Sequence, residues 1–144
     1  MFDIVTIEPK DAVVLKAVHT LTEGNAVIAN PSGNYRFIAR NACLAEGDGG
    51  TNKEILVIVG HASPDSISHC RTWQAFKQDV TVDVDWTTGK TSIYIAACST
   101  AGEGTKFAYG NFANEIKAAF PNAVVWASNS AVDANDLSGD WQQV

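Results

Sequence analysis

Two patterns of apolar residues alternate along most of the chain: short unbroken runs, and stripes repeating every three or four positions. Phe2 to Ile7, apolar except at Asp3 and Thr6, predicts a short strand. Pro9 and Asp11 then open "DAVVLKAVHTLTEG", where Val13, Val14, Ala17, Val18 and Leu21 share one helical face and Gly24 supplies a stop. "NAVIAN" and "YRFIARN" flank "NPSGN", and two β-rich runs separated by Pro and Gly predict a hairpin, or a strand with an adjoining loop. "NACLAEGDGGTNKE" turns to Gly, Asp and Asn, the composition of an exposed loop.

Ile55 to Val59 is apolar at every position and rich in β-branched residues, as in a central strand covered on both faces. Ser63-Pro64-Asp65 then reads as a helix start, with Ile67, Cys70, Trp73 and Phe76 on one face of the helix it predicts. "TVDVDWTTGKTS" alternates before a turn at Thr88-Gly89, either an edge strand or a loop. Ser92 to Ala97 is a second central strand, followed by the glycine-bearing "CSTAGEG". A helix from about Thr105 to Phe120 has the stripe Phe107, Phe112, Ile116, Ala119 and is ended by Pro121 and Asn122. "AVVWAS" is a further strand, and the polar tail predicts a loop anchored by Trp141. The succession predicts an α/β fold, a mostly parallel central sheet sandwiched by helices. No repeat, low-complexity tract or linker divides it, so residues 1–144 read as one domain.

Composition narrows the function. With 144 residues, 46% of them hydrophobic and 18% charged, the chain suits a single buried core. A net charge of -6 and a pI near 4.8, with ten scattered Lys and Arg, argue against a nucleic-acid partner. No stretch is long enough to cross a bilayer, and Asp3 stands where a secretory signal needs a basic start and an apolar region. The expectation is a protein without a membrane partner or export address, in the cytoplasm or delivered into another cell's cytosol. Cys43, Cys70 and Cys98 are too few and too spread for a disulfide framework, which fits a reducing compartment. Neither a C-x-x-C pair nor an H-x-x-x-H pair among His19, His61 and His69 is present, and neither metal nor organic cofactor is implied.

The two central strands end alike, one on Gly60-His61 and the other on Cys98. Parallel sheets gather functional groups beyond their carboxyl ends. Neighbouring strands lie about 5 Å apart, so side chains at two such ends can reach one reacting atom. A cysteine there becomes a nucleophile when an imidazole takes its proton, and the same imidazole can protonate a leaving amine. Gly60, Gly102 and Gly104 allow a substrate backbone to approach, and the amides of Cys98 and Ala62 can form an oxyanion hole. Acyl transfer from a peptide or amide carbonyl follows. Cys70, on an apolar stripe, reads as core, His69 as surface, and His19 as a cation near a helix end. A phosphatase loop would need arginine where Gly104 stands, and the glycine spacing fits neither a P-loop nor a dinucleotide fingerprint.

"VIVGHAS" and "IYIAACSTAGEG" resemble the two motifs of the caspase-like (clan CD) cysteine peptidases, the clan of legumain, gingipain, clostripain, separase, metacaspases and the self-cleaving domains of large bacterial toxins. Cys98-Ser-Thr-Ala-Gly-Glu-Gly is similar to the CHAT branch, as is "NFANEIKAAFPNAVVWASNSAV", and the resemblance spans Lys53 to Val132. It implies a caspase-hemoglobinase-like fold, a polypeptide substrate, Cys98 as nucleophile and His61 as base. Two departures are visible: Ala62 stands where the family usually has glycine, and Ala96, two before the cysteine, where several members have a polar or acidic pocket residue. An uncharged pocket implies a small or apolar residue before the cleaved bond, unless Asp65, Glu103, Asp133 or Asp136 supplies charge. A catalytically silent binding or scaffold module is the alternative, given Ala62 and a domain short for the family.

Overall fold

The computed structural model describes residues 2–28, 35–40, 42–45, 54–63, 66–70, 72–80, 89–97 and 112–144. Cys98, Asp65, Glu103, Gly102, Gly104 and the side chain of Cys43 lie outside the described residues, as do "TVDVDW" and the first turns of the helix predicted from Thr105. The elements in chain order are β1 (Phe2–Thr6), α1 (Ala12–Thr22), β2 (Tyr35–Ala39), β3 (Ala42–Ala45), β4 (Ile55–Val59), β5 (Ala62–Ser63), β6 (Ser66–Ile67), α2 (Trp73–Val80), β7 (Ser92–Ala96), α3 (Phe112–Ala119), β8 (Val124–Ser128) and β9 (Trp141–Gln143).

The apolar runs assemble into a sheet of order β3-β2-β1-β4-β7-β8-β9. Pairings from β2 to β8 are parallel, and β3 and β9 close the edges antiparallel. β4 sits at its centre and has no polar face because both faces are covered. Leu56 and Ile58 pack with Trp73 and Phe76 of α2 and Phe112 and Ile116 of α3. Val57 and Val59 pack instead with Val14, Val18 and Leu21 of α1. Each fully buried aliphatic side chain contributes about 1.5–3 kcal/mol. The chain is thus an α/β sandwich, with α1 on one face and α2 and α3 on the other.

That division follows from handedness. The β1-α1-β2 crossover moves one way across the sheet, and β4-α2-β7-α3-β8 moves the other way, so crossovers of one hand must lie on opposite faces. The reversal falls between β1 and β4. A crevice for functional groups is expected at the carboxyl ends there.

α1 begins and ends where its sequence predicts. The Asp11 carboxylate accepts the amides of Val13 (2.9 Å) and Val14 (3.0 Å). At the other end Gly24 adopts φ +74°, and Asn25 N–H reaches Thr20 C=O at 3.0 Å.

Three segments differ from expectation. The helix predicted from Ser63 starts only at Trp73, with the Thr72 hydroxyl accepting the Ala75 amide at 3.0 Å. Before it, Ala62 and Ser63 pair with Ile67 and Ser66, and Ile67 and Cys70 exchange backbone hydrogen bonds across Ser68 (φ 48°) and His69 (φ 66°). Two successive left-handed residues cannot continue a right-handed helix. The apolar stripe looked helical because Ile67, Cys70, Trp73 and Phe76 all bury in one cluster, from hairpin and helix together.

Of the two readings open for "NAVIAN" and "YRFIARN", the described residues fit the strand with an adjoining loop. "YRFIA" pairs parallel to β1, and the Val27 amide donates to Asp136 C=O at 2.8 Å. "ACLA", within a segment read as a loop, is the antiparallel partner that covers the open edge of β2. The tail is anchored by Trp141, as expected, whose indole N–H donates to Leu137 C=O at 2.9 Å, but it also adds a strand, β9.

At the amino ends of the strands, fully buried Asp3 receives two hydrogen bonds from Arg36 on the neighbouring strand, at 3.1 and 2.7 Å, with Lys90 Nζ at 3.7 Å. Asp3 is therefore a buried counter-ion, placed at the sheet end opposite the crevice. No described helix is long and apolar enough to cross a membrane.

Candidate active site at the carboxyl ends of β4 and β7

β4 and β7 are adjacent and parallel, and their pairing ends at Val59↔Ala96. His61 comes two residues after Val59 in the chain, and Cys98 two residues after Ala96. The strands that carry the expected pair are therefore neighbours with matched ends, while Cys98 itself lies outside the described residues.

His61 follows β4 with its imidazole half exposed, at 52%. Its Nε2 is 3.0 Å from Asp11 Oδ1, so the cap of α1 is also the partner of the histidine. The Asp11 carboxyl is held below the usual carboxylate range. The Val14 amide lowers it most, the His61 hydrogen bond and charge and the Val13 amide add to this, and partial desolvation opposes it. The positive end of α1 favours this anion. With Nε2 donating to a carboxylate, the neutral ring keeps Nδ1 as its acceptor, the atom able to take a proton.

The backbone around His61 is pinned by a second carboxylate. Glu8 Oε2 accepts His61 N–H at 2.8 Å and the Ser68 hydroxyl at 2.7 Å, while Ser68 N–H donates to His61 C=O at 2.7 Å. The left-handed conformation of Ser68 belongs to the tight turn from which it makes both contacts. Gly60 is required by this packing. A Cβ there would run into Ser68 Oγ and stand 3.1 Å from Glu8 Oε2 and 3.2 Å from Ile67 Cγ1. The space beside Gly60 is thus filled by the protein's own groups.

Ala62 lies in the β5–β6 hairpin opposite Ile67. Hydrogen bonding across the 61/68 pair leaves the amide of Ala62 outside the ladder, by the alternation of antiparallel pairs. Ala96 is buried and lines a small cleft of about 40 Å³ with His61, Gly60, Val13, Ala17 and Leu137. Asp133 and Asp136 are absent from its described lining. Asp133 Oδ1 accepts the Asn135 amide at 2.8 Å, and Asp136 Oδ1 accepts the Ser138 amide at 2.9 Å, a bond that holds the Asp136 carboxyl below its ordinary range. A separate, broader cavity of about 400 Å³ is lined by Glu8 and Asp11, the two carboxylates that contact His61, together with Lys10 and Arg40.

Cys70, His69 and His19 have the burial the sequence suggests, although Cys70 precedes α2 rather than lying on a helix as the sequence predicts. Cys70 is buried, and its thiol is pushed up to about 11, first by burial and then by the Asp79 carboxylate 3.7 Å from its sulfur. A thiol held protonated is a poor nucleophile. His69 and His19 are exposed, His19 in the last turn of α1. Among the described residues no group of three or more His, Cys, Asp and Glu is placed to hold a metal ion.

Sequence reasoning missed Asp11 and Glu8 as partners of His61, and Ser68 as the link to its loop. The available signal was position. Both carboxylates follow the first strand at its carboxyl end, where an α/β sheet collects functional groups. No family model matches the chain, and no curated protein matches it in sequence.

Proposed function

We propose that this chain is a caspase-like cysteine endopeptidase, in which Cys98 is the nucleophile, His61 the base and Asp11 the residue that orients His61. The observation that carries the proposal is the imidazole after β4, held by Asp11 at 3.0 Å, on the strand paired in register with the one that leads to Cys98. Asp11 engages Nε2, which leaves Nδ1 to receive the thiol proton.

The Cys98 sulfur attacks the carbonyl carbon as its proton passes to His61, and the oxyanion is stabilised by the amides of Cys98 and Ala62. Collapse breaks the C–N bond, the amine leaving with the proton from His61. Water, deprotonated by His61, then hydrolyses the thioester, releasing the acid and restoring the thiol. The cleft beside Ala96, at about 40 Å³, has room for a small apolar side chain before the cleaved bond.

Labelling with a peptide acyloxymethyl ketone tests the proposal. Wild type is expected to be alkylated at Cys98, with Cys98→Ala unlabelled and His61→Ala strongly slowed. A folded wild-type chain that resists labelling would sink it and leave a binding or scaffold role.

A further inference from the structure

The sheet face that carries α1 is unevenly covered. α1 packs over β1 and β4 through Val14, Ala17, Val18 and Leu21. Over β7, β8 and β9 the described residues place no helix, and three aromatic residues stand there instead. Tyr94 and Trp126 are paired neighbours on β7 and β8. Trp141, opposite Ser128, is the diagonal neighbour of Trp126, and its ring also meets that of Tyr94 edge to face at 6.5 Å. With Ile28 and the Ser138–Gly139 turn they line a cavity of about 290 Å³, near the lower end of the small-ligand range.

One polar group in this cavity has no role in the fold. Tyr94 is 7% exposed, and burial alone pushes its phenol above the ordinary range. Its hydroxyl has no hydrogen-bond partner among the described residues. Buried tyrosines ordinarily satisfy this group, and leaving it unpaired is unfavourable. The Trp141 indole, in contrast, already donates to Leu137 C=O. No lysine or arginine is among the described lining residues, and the turn at its rim carries Asp136 and Asp140 on either side of Ser138 and Gly139. The cavity offers aromatic walls, the unengaged Tyr94 hydroxyl beside a Ser138 side chain already bonded to Asp136, and, among its described lining residues, no cation for an anion to meet.

We infer that this cavity binds a small uncharged planar molecule, packed on Trp126 and Trp141 and accepting a hydrogen bond from the Tyr94 hydroxyl. The site is distinct from the His61 cleft, which Leu137 lines, and does not depend on the peptidase reading.

Benzamide, titrated into the purified full chain while the tryptophan indole signals are followed by NMR, is a suitable probe. Saturable shifts confined to the Trp126 and Trp141 indoles are expected. Tyr94→Phe, which removes one oxygen and keeps the ring, should weaken binding about three- to tenfold, the worth of one hydrogen bond. Benzoate should bind at least about tenfold more weakly, because its charge would be buried unpaired. Absence of saturation with benzamide, equal affinity in Tyr94→Phe, or equal affinity for benzoate would each overturn the inference.

Discussion

Replacing Glu8 with alanine tests whether the loop bearing His61 is held by a carboxylate from the other side of the strand reversal. Two hydrogen bonds disappear, one to the His61 amide at 2.8 Å and one to the Ser68 hydroxyl at 2.7 Å. The Ser68 side chain is buried, and a buried hydroxyl without its partner costs about 1–3 kcal/mol. The His61 amide lies near solvent and recovers part of its loss from water, adding about 1 kcal/mol. Relaxation of Ser68 and His69 out of positive φ offsets some of this, because each such residue stores roughly 1–3 kcal/mol. The expected net destabilisation is about 2–3 kcal/mol, which lowers the urea midpoint by about 1–2 M for a typical slope. Glu8→Gln retains an oxygen acceptor without its charge and should lose about half as much. Urea unfolding followed by circular dichroism measures both. Under native conditions Glu8→Ala should also slow labelling of Cys98 by about tenfold or more, since small displacements of a catalytic group are costly. A stability change below about 0.5 kcal/mol, the size of an ordinary surface substitution, would refute the clamp.

Three further outcomes follow from the titrating groups Asp11 and Cys70. Asp11→Asn keeps a good helix cap but removes the charge from His61, so labelling should slow by roughly ten- to a hundredfold, within what a positioned acid–base group supplies, while the far-ultraviolet spectrum is unchanged. Because the Asp11 carboxyl is depressed in the folded chain, its ionised form stabilises the fold above pH 3.8 and that contribution is lost as pH falls below it. The stability difference between wild type and Asp11→Asn should therefore narrow in acid, and a difference that widens there would contradict the assignment. Cys70 has the opposite sense: its thiol, raised from 9.0 to about 11, favours the fold below pH 9 and loses that contribution as pH rises toward 11. Wild type should lose more stability than Cys70→Ala over that interval in urea titrations, and parallel curves would count against a buried thiol.

By itself the sequence determined what depends on local periodicity. The apolar-rich segments β1, β4, β7 and β8 are legible because strands covered on both faces are mostly apolar, with Asp3 and Thr6 of β1 as buried polar exceptions, and α1 is legible from its stripe, Asp11 and Gly24. His61 stands out for a related reason: a polar side chain directly after a buried run marks the carboxyl end of a strand. The tertiary structure decided which groups meet. The stripe from Ile67 to Phe76 buries in one cluster whether it is one helix or a hairpin followed by a helix, so its pattern could not distinguish them. Strands β3 and β9 are short edges formed because a partner strand offers open hydrogen bonds, which short polar-flanked segments do not announce. Glu8 reaches the His61 amide across 53 residues, and Asp11 reaches the imidazole from the cap of α1. Both contacts exist because the strand order reverses between β1 and β4, and that reversal is set by the hand of the crossovers and the need to cover both faces of the sheet.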